Sequence, residues 1–137
     1  MMTRTRTVKS LLAVAAVGLT TFAFANPLDK IWEASGTSGA TRMKAQYVES
    51  PENAWLEQVL GVELENGVPN SRYVITINGS RVGSLRTNGI GDGRFGGQKN
   101  VQPGADGRPT GPRVEEGDTI TVKNAQQSVS GNFVRVQ

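Results

Sequence analysis

Residues Arg72 to Arg86 spell a β-hairpin. Tyr73, Ile75 and Ile77 alternate with Val74 and Thr76, Asn78-Gly79 interrupts the run, and Val82 and Leu85 follow it. Apolar side chains at every second position are the mark of a strand with one face buried. Asn-Gly supplies the positive φ angles that a type I′ turn needs at both central positions, and that turn's twist suits the flanking strands. A two-residue loop sets Ile75 opposite Val82. Leu85 then falls on the wrong face unless the second strand bulges, and Gly83 is the residue expected to carry the bulge. Asn78-Gly79-Ser80 also fits the glycosylation sequon, but turn chemistry is reason enough for it.

The rest of the chain repeats the same theme, and long stretches with the helical spacing of apolar side chains are missing. Met43, Ala45 and Tyr47 alternate with Arg42, Lys44 and Gln46 between Thr41 and Val48. Trp55 to Glu65 reads as one long strand, in which Leu60, Val62 and Leu64 alternate with Gly61, Glu63 and Glu65. Ser50-Pro51-Glu52-Asn53 could open a helix, but a turn is preferred because the alternation extends back to Trp55. Gly117-Asp118 introduces a strand from Thr119 to Lys123, with Ile120 and Val122 inward, and Val129, Phe133, Val134 and Val136 supply the last one. Residues 26–40 read as an extended arm that Trp32 docks. The segment 89–112 holds eight Gly and three Pro and reads as a Gly-rich loop with a short strand near Phe95. Six or seven short strands joined by Gly turns predict an all-β fold, a single Ig-like antiparallel β-sandwich over residues 41–137.

Met1 to Ala25 is of another kind. Arg4, Arg6 and Lys9 precede an apolar run from Leu11 to Phe24, and Ala23-Phe24-Ala25 offers the small residues a signal peptidase requires. The run is shorter than the ~20 residues of a membrane-spanning helix. A signal peptide over residues 1–25 is expected, leaving a processed chain that starts at Asn26 and has no transmembrane anchor. The three charges of that segment are all basic, so its removal takes the 15 Lys and Arg down to 12, equal to the 12 Asp and Glu. That balance removes the basic excess a nucleic-acid surface needs. The chain has neither Cys nor His, which excludes disulfides, cysteine nucleophiles, His-dependent triads and His or Cys metal and haem sites. A cysteine-free exported domain points to a bacterial periplasmic or extracellular setting.

The order Leu60-x-Val62-x-Leu64, Gly67-Val68-Pro69, Tyr73-x-Ile75-x-Ile77-Asn78-Gly79, Val82-Gly83, Gly91-Asp92-Gly93 and Val114-x-x-Gly117-Asp118 resembles a layout seen in small exported bacterial β-sandwich proteins. The resemblance implies a β-sandwich and no particular functional residue.

Among chemistry-bearing groups, Asn88 and Asp92 in the Gly-rich stretch are the candidate ligands for a hard cation such as Ca²⁺. Ile90 and Lys99 stand where an EF-hand loop would need oxygen, and ordinary turn chemistry is the competing account. Glu63 and Glu65 share a strand face and solvate it, rather than forming the acid and base of a hydrolase. Trp32 and Trp55 are the rings free to meet a sugar, since Tyr47 and Tyr73 fall in core-facing registers. From Asn78 to Arg113, six basic residues stand against Asp92 and Asp106 alone. Arg81, Arg86, Arg94, Lys99 and Arg108, with Phe95 among them, are the candidate ligand-binding residues. The expected function is that of an exported, non-catalytic module binding an anionic envelope polymer or another envelope protein, without a cofactor. A carbohydrate- or calcium-binding module is the alternative, and a small carboxylate-dependent hydrolase the rival class.

Overall fold

The computed structural model describes residues 28–52, 55–101 and 113–137; the expected signal peptide and residues 102–112, with Asp106 and Arg108, lie outside them. The described chain forms nine strands: β1 (Lys30–Ser38), β2 (Thr41–Glu52), β3 (Trp55–Glu65), β4 (Arg72–Ile77), β5 (Ser80–Arg86), β6 (Gly93–Val101), β7 (Thr119–Lys123), β8 (Ser128–Asn132) and β9 (Val134–Arg135). They make two antiparallel sheets, one of five strands in the order β9-β1-β2-β3-β6 and one of four in the order β5-β4-β7-β8. Three consecutive strands lie side by side in the larger sheet. That order differs from the A-B-E-D and C-F-G sheets of an immunoglobulin constant domain, and nine strands replace the six or seven expected.

Between the sheets lies one core. The larger sheet contributes Trp32, Ala34, Met43, Ala45, Tyr47, Val62 and Leu64, and the smaller one Tyr73, Ile75, Leu85, Ile120, Val122 and Val129. Val114 and Phe133 fill it from the connections. Phe133 is fully buried, and it is the single residue between β8 in one sheet and β9 in the other. Its N–H donates to Asp118 and its carbonyl accepts from Gly117, both at 2.8 Å, so the change of sheet is tied to the turn that opens β7.

Three expectations need correction. Residues 26–40 are not a mere arm, because Lys30–Ser38 is an integral strand paired on both sides. Small residues are required there by a close crossing of the sheets. A Cβ on Gly36 would lie 1.9 Å from the Ser130 carbonyl oxygen, and one on Gly131 would lie 2.3 Å from that of Ser35. Composition that resembles a loop is the condition for two backbones to touch. Likewise the short strand expected near Phe95 is the nine-residue β6, laid along β3 with Phe95 opposite Val62. Partner strands here override the low strand propensity of Gly.

The hairpin register differs as well. The Asn78-Gly79 turn forms as expected, with φ of 50° and 85°, but Ile75 faces Gly83 rather than Val82. Thr76 pairs with Arg81, so Val82 is the extra residue of the bulge. The insertion returns Leu85 to the core opposite Tyr73. Other expectations are met: Met43, Ala45 and Tyr47 are buried, and Trp55–Glu65 is one strand. Trp32 is buried with its ring centroid 5.6 Å from that of Tyr47.

Candidate functional site

With Tyr73, Ile75, Leu85, Ile120, Val122 and Val129 pointing into the core, strand alternation sends their neighbours outward. Arg72, Val74 and Thr76 on β4 therefore share the outer face with Arg81, Ser84 and Arg86 on β5. Thr119, Thr121 and Lys123 on β7 continue it, followed by Ser128, Ser130 and Asn132 on β8. The register lines these up in rows: Arg86 beside Arg72, then Ser84, Val74, Lys123 and Ser128, then Arg81, Thr76, Thr121 and Ser130. Thr121 and Ser130 are joined through their hydroxyls at 2.9 Å. Four strands spaced ~4.8 Å apart make a surface about 14 Å across.

None of these four strands contains an acidic residue, whereas Arg72, Arg81, Arg86 and Lys123 are all exposed. The outer face of the five-stranded sheet is built differently. There Arg42 stands opposite Glu65 with a 2.7 Å ion pair, and Lys44 stands opposite Glu63. Glu63 also faces Arg94 across the next ladder, with 3.8 Å between charged atoms. One sheet face is charge-matched and the other is cationic. Opposed like charges such as Arg72 and Arg86 destabilise a ladder, and no described ion pair offsets them.

At another end of the core lies a buried polar group. Glu49 is covered, and its Oε2 accepts from the Tyr47 hydroxyl at 2.8 Å and from Arg113 Nε at 3.3 Å. The Tyr47 oxygen in turn accepts from Gln58 Nε2 at 2.6 Å. Burial pushes the Tyr47 hydroxyl far above the ordinary phenol range. The hydrogen bond to Glu49 and its negative charge add to that push, against the lowering effects of Gln58 and Arg113. The phenol stays protonated and acts as a fixed donor, which makes this cluster a brace between β2, β3 and the segment entering β7.

The candidate binding residues separate in space. Arg81 and Arg86 lie on the cationic face. Arg94 is on the other sheet beside Glu63, and Phe95 packs inward, its ring meeting Gly83. Lys99 belongs to β6, and Arg108 lies outside the described residues. Asn88 Oδ1 accepts from the N–H groups of Ile90 and Asp92, both at 3.0 Å, and Asp92 Oδ1 accepts from that of Asn66 at 3.1 Å. Both side chains cap turns, and no group of three or more metal-ligating side chains occurs among the described residues. Trp32 is not free for a sugar: it is buried, with the Arg135 guanidinium 5.4 Å from its ring. Arg72 and Lys123 are the members of the face that a linear scan for charge runs passes over. They could be found by taking the outward partners of the Tyr73-Ile75-Ile77 and Ile120-Val122 alternations. Compared with known proteins, the chain matches no protein-family model, no curated protein and no solved structure.

Proposed function

We propose that this is an exported bacterial protein, with a cleaved signal peptide at residues 1–25, whose folded part binds an anionic partner without catalysis. The contact surface is the outer face of the four-stranded sheet. The observation that carries this reading is the contrast between sheets: cations matched to acids on one face, and four cations with no acid on the other. A uniformly cationic field raises the local concentration of an anionic ligand and weakens as salt screens it. Several described carboxylates are otherwise engaged: Glu49 with Arg113 and Tyr47, Glu65 with Arg42, and Asp92 and Asp118 with turn N–H groups. This arrangement favours a binding role over the hydrolase alternative. Retention on an immobilised acidic polysaccharide tests the proposal. The protein is expected to bind at low ionic strength and to elute as salt rises. Replacing Arg72, Arg81, Arg86 and Lys123 together by Gln should abolish retention, while Lys44→Gln with Arg94→Gln should not. Equal loss from both sets would sink the assignment of the face.

A further inference from the structure

Charge is not spread evenly over the cationic face. Arg72 and Arg86 are directly opposed, and Lys123 stands opposite Val74, which makes it the diagonal neighbour of Arg72. Opposed residues have Cβ atoms about 5 Å apart and diagonal ones about 7 to 8 Å, within the reach of long side chains toward one point above Arg72. Ser84, on the other side of Val74, adds a hydroxyl next to Arg86. Arg81 lies two rows away, beside Thr76. Among the described residues the three clustered cations have no acidic partner, so their mutual repulsion stands until an anion enters.

The charge and shape of the cluster select the anion. A carboxylate carries one charge and two oxygens, which a single guanidinium fork satisfies. The second Arg and the Lys would still repel. A phosphate monoester brings about −1.5 to −2 charge near neutral pH and three acceptor oxygens, one for each cationic side chain. Arg matches such oxygens in bidentate fashion, and Lys serves as a point charge. The geometry points to a phosphoryl-binding subsite formed by Arg72, Arg86 and Lys123, which takes phosphomonoester groups carried on a sugar polymer. This rests on the reading of the face given above and names its ligand. The polymer is favoured over a lipid surface by what surrounds the triad. Apart from Arg81 and the half-buried Val74, the remainder of the face is made of hydroxyl and amide side chains, among them Thr76, Thr121, Ser128, Ser130 and Asn132. None of the exposed large hydrophobic side chains among the described residues, Leu28, Ile90, Val134 and Val136, belongs to the four strands of this face. Firm docking on a bilayer adds aromatic or aliphatic anchors to the charge attraction, which by itself supplies only about 1 kcal/mol per Lys or Arg near the surface.

The test is an NMR titration of the purified protein with inorganic phosphate, a hexose monophosphate, the unphosphorylated hexose and acetate, all at matched ionic strength. Phosphate and the hexose monophosphate are expected to shift the amides of β4, β5 and β7 around the triad and the side-chain N–H signals of Arg72 and Arg86. Acetate should need at least about tenfold higher concentration for the same shift, because it satisfies only one fork. Arg86→Gln, and separately Lys123→Gln, should weaken phosphate binding by about tenfold, the scale of losing one charge-assisted bond. Arg81→Gln should leave it within about twofold, since its effect is long-range and screened. Acetate as effective as phosphate, or Arg81→Gln as damaging as Arg86→Gln, overturns the subsite. If the protein is still retained on acidic polysaccharide in that case, the subsite fails and the reading of the face survives. Binding to phosphatidylglycerol vesicles that depends on Arg86, without a response to the hexose monophosphate, overturns the polymer as the source.

Discussion

Replacing Gly36 by Ala probes the point at which β1 crosses β8. The new Cβ would sit 1.9 Å from the Ser130 carbonyl oxygen and 2.7 Å from its carbon. Ordinary contact begins at 3.4 Å, so the strands must part by well over an ångström. Backbone stands on both sides, held by the β1–β2 and β7–β8 ladders, and no change of rotamer relieves the clash. A radial gap of about 0.5 to 1 Å already forfeits a quarter to a half of the dispersion well. Opening by more than that next to Ala34 on β1 and Val129 on β8, the adjacent inward side chains, removes much of the local packing. The expected loss is about 3 kcal/mol or more, or about 12 °C in melting temperature for a domain of this size. Urea and thermal unfolding followed by Trp fluorescence measure it, because Trp32 is buried in the same sheet. Gly96→Ala is the reference: nothing lies within 4 Å of its Cβ, and a change within about 0.5 kcal/mol is expected. Gly131→Ala should cost less than Gly36→Ala, its nearest contact being 2.3 Å. The double variant should cost less than the sum, since strands already parted leave room for the second methyl. Equal stability of the Gly36→Ala and Gly96→Ala proteins would refute the crossing as a close contact.

Three further outcomes are expected. Arg86→Thr should raise stability by about 0.2 to 1 kcal/mol at low salt by removing the opposed cation, and the gain should shrink as salt screens it; a loss at low salt would contradict the repulsion argued for that pair. Tyr47→Phe should cost about 1 to 3 kcal/mol by stripping a donor from buried Glu49. The raised Tyr47 proton affinity also has a pH signature: its contribution is complete below the unfolded phenol value of about 10 and is lost as pH rises above it. Urea midpoints should therefore fall more steeply with alkaline pH in the parent than in Tyr47→Phe, and parallel profiles would oppose the assignment. Millimolar Ca²⁺ should leave the melting temperature unchanged, because Asn88 and Asp92 already cap turn N–H groups; a clear rise would restore the cation site.

The strands with strict alternation were legible from residues alone. Met43, Ala45 and Tyr47, or Ile120 and Val122, declare their inward face because burial on one side of a strand has a period of two. Asn78-Gly79 declared its turn for an equally local reason, the positive φ that both residues tolerate. The binding face was only half legible. Arg81 and Arg86 stand out by charge, but nearness in sequence alone joins Arg94 and Phe95 to them. A single step along β6 puts Phe95 inside and Arg94 on the opposite sheet from Arg86.

Local patterning, then, fixed the strand character of the chain and the chemistry of its tightest turn, since both depend on near neighbours in the sequence. Which strands lie side by side, and that Lys30–Ser38 and Gly93–Val101 are strands at all, was decided by partners distant in the chain. Glycine there answers to a backbone of the other sheet, as at Gly36 against Ser130 and at Gly93 against Arg86. The gathering of Arg72, Arg86 and Lys123 belongs to that second level too: β4 pairs with β5 on one edge and with β7 on the other, and only ladder register makes residues 72, 86 and 123 neighbours.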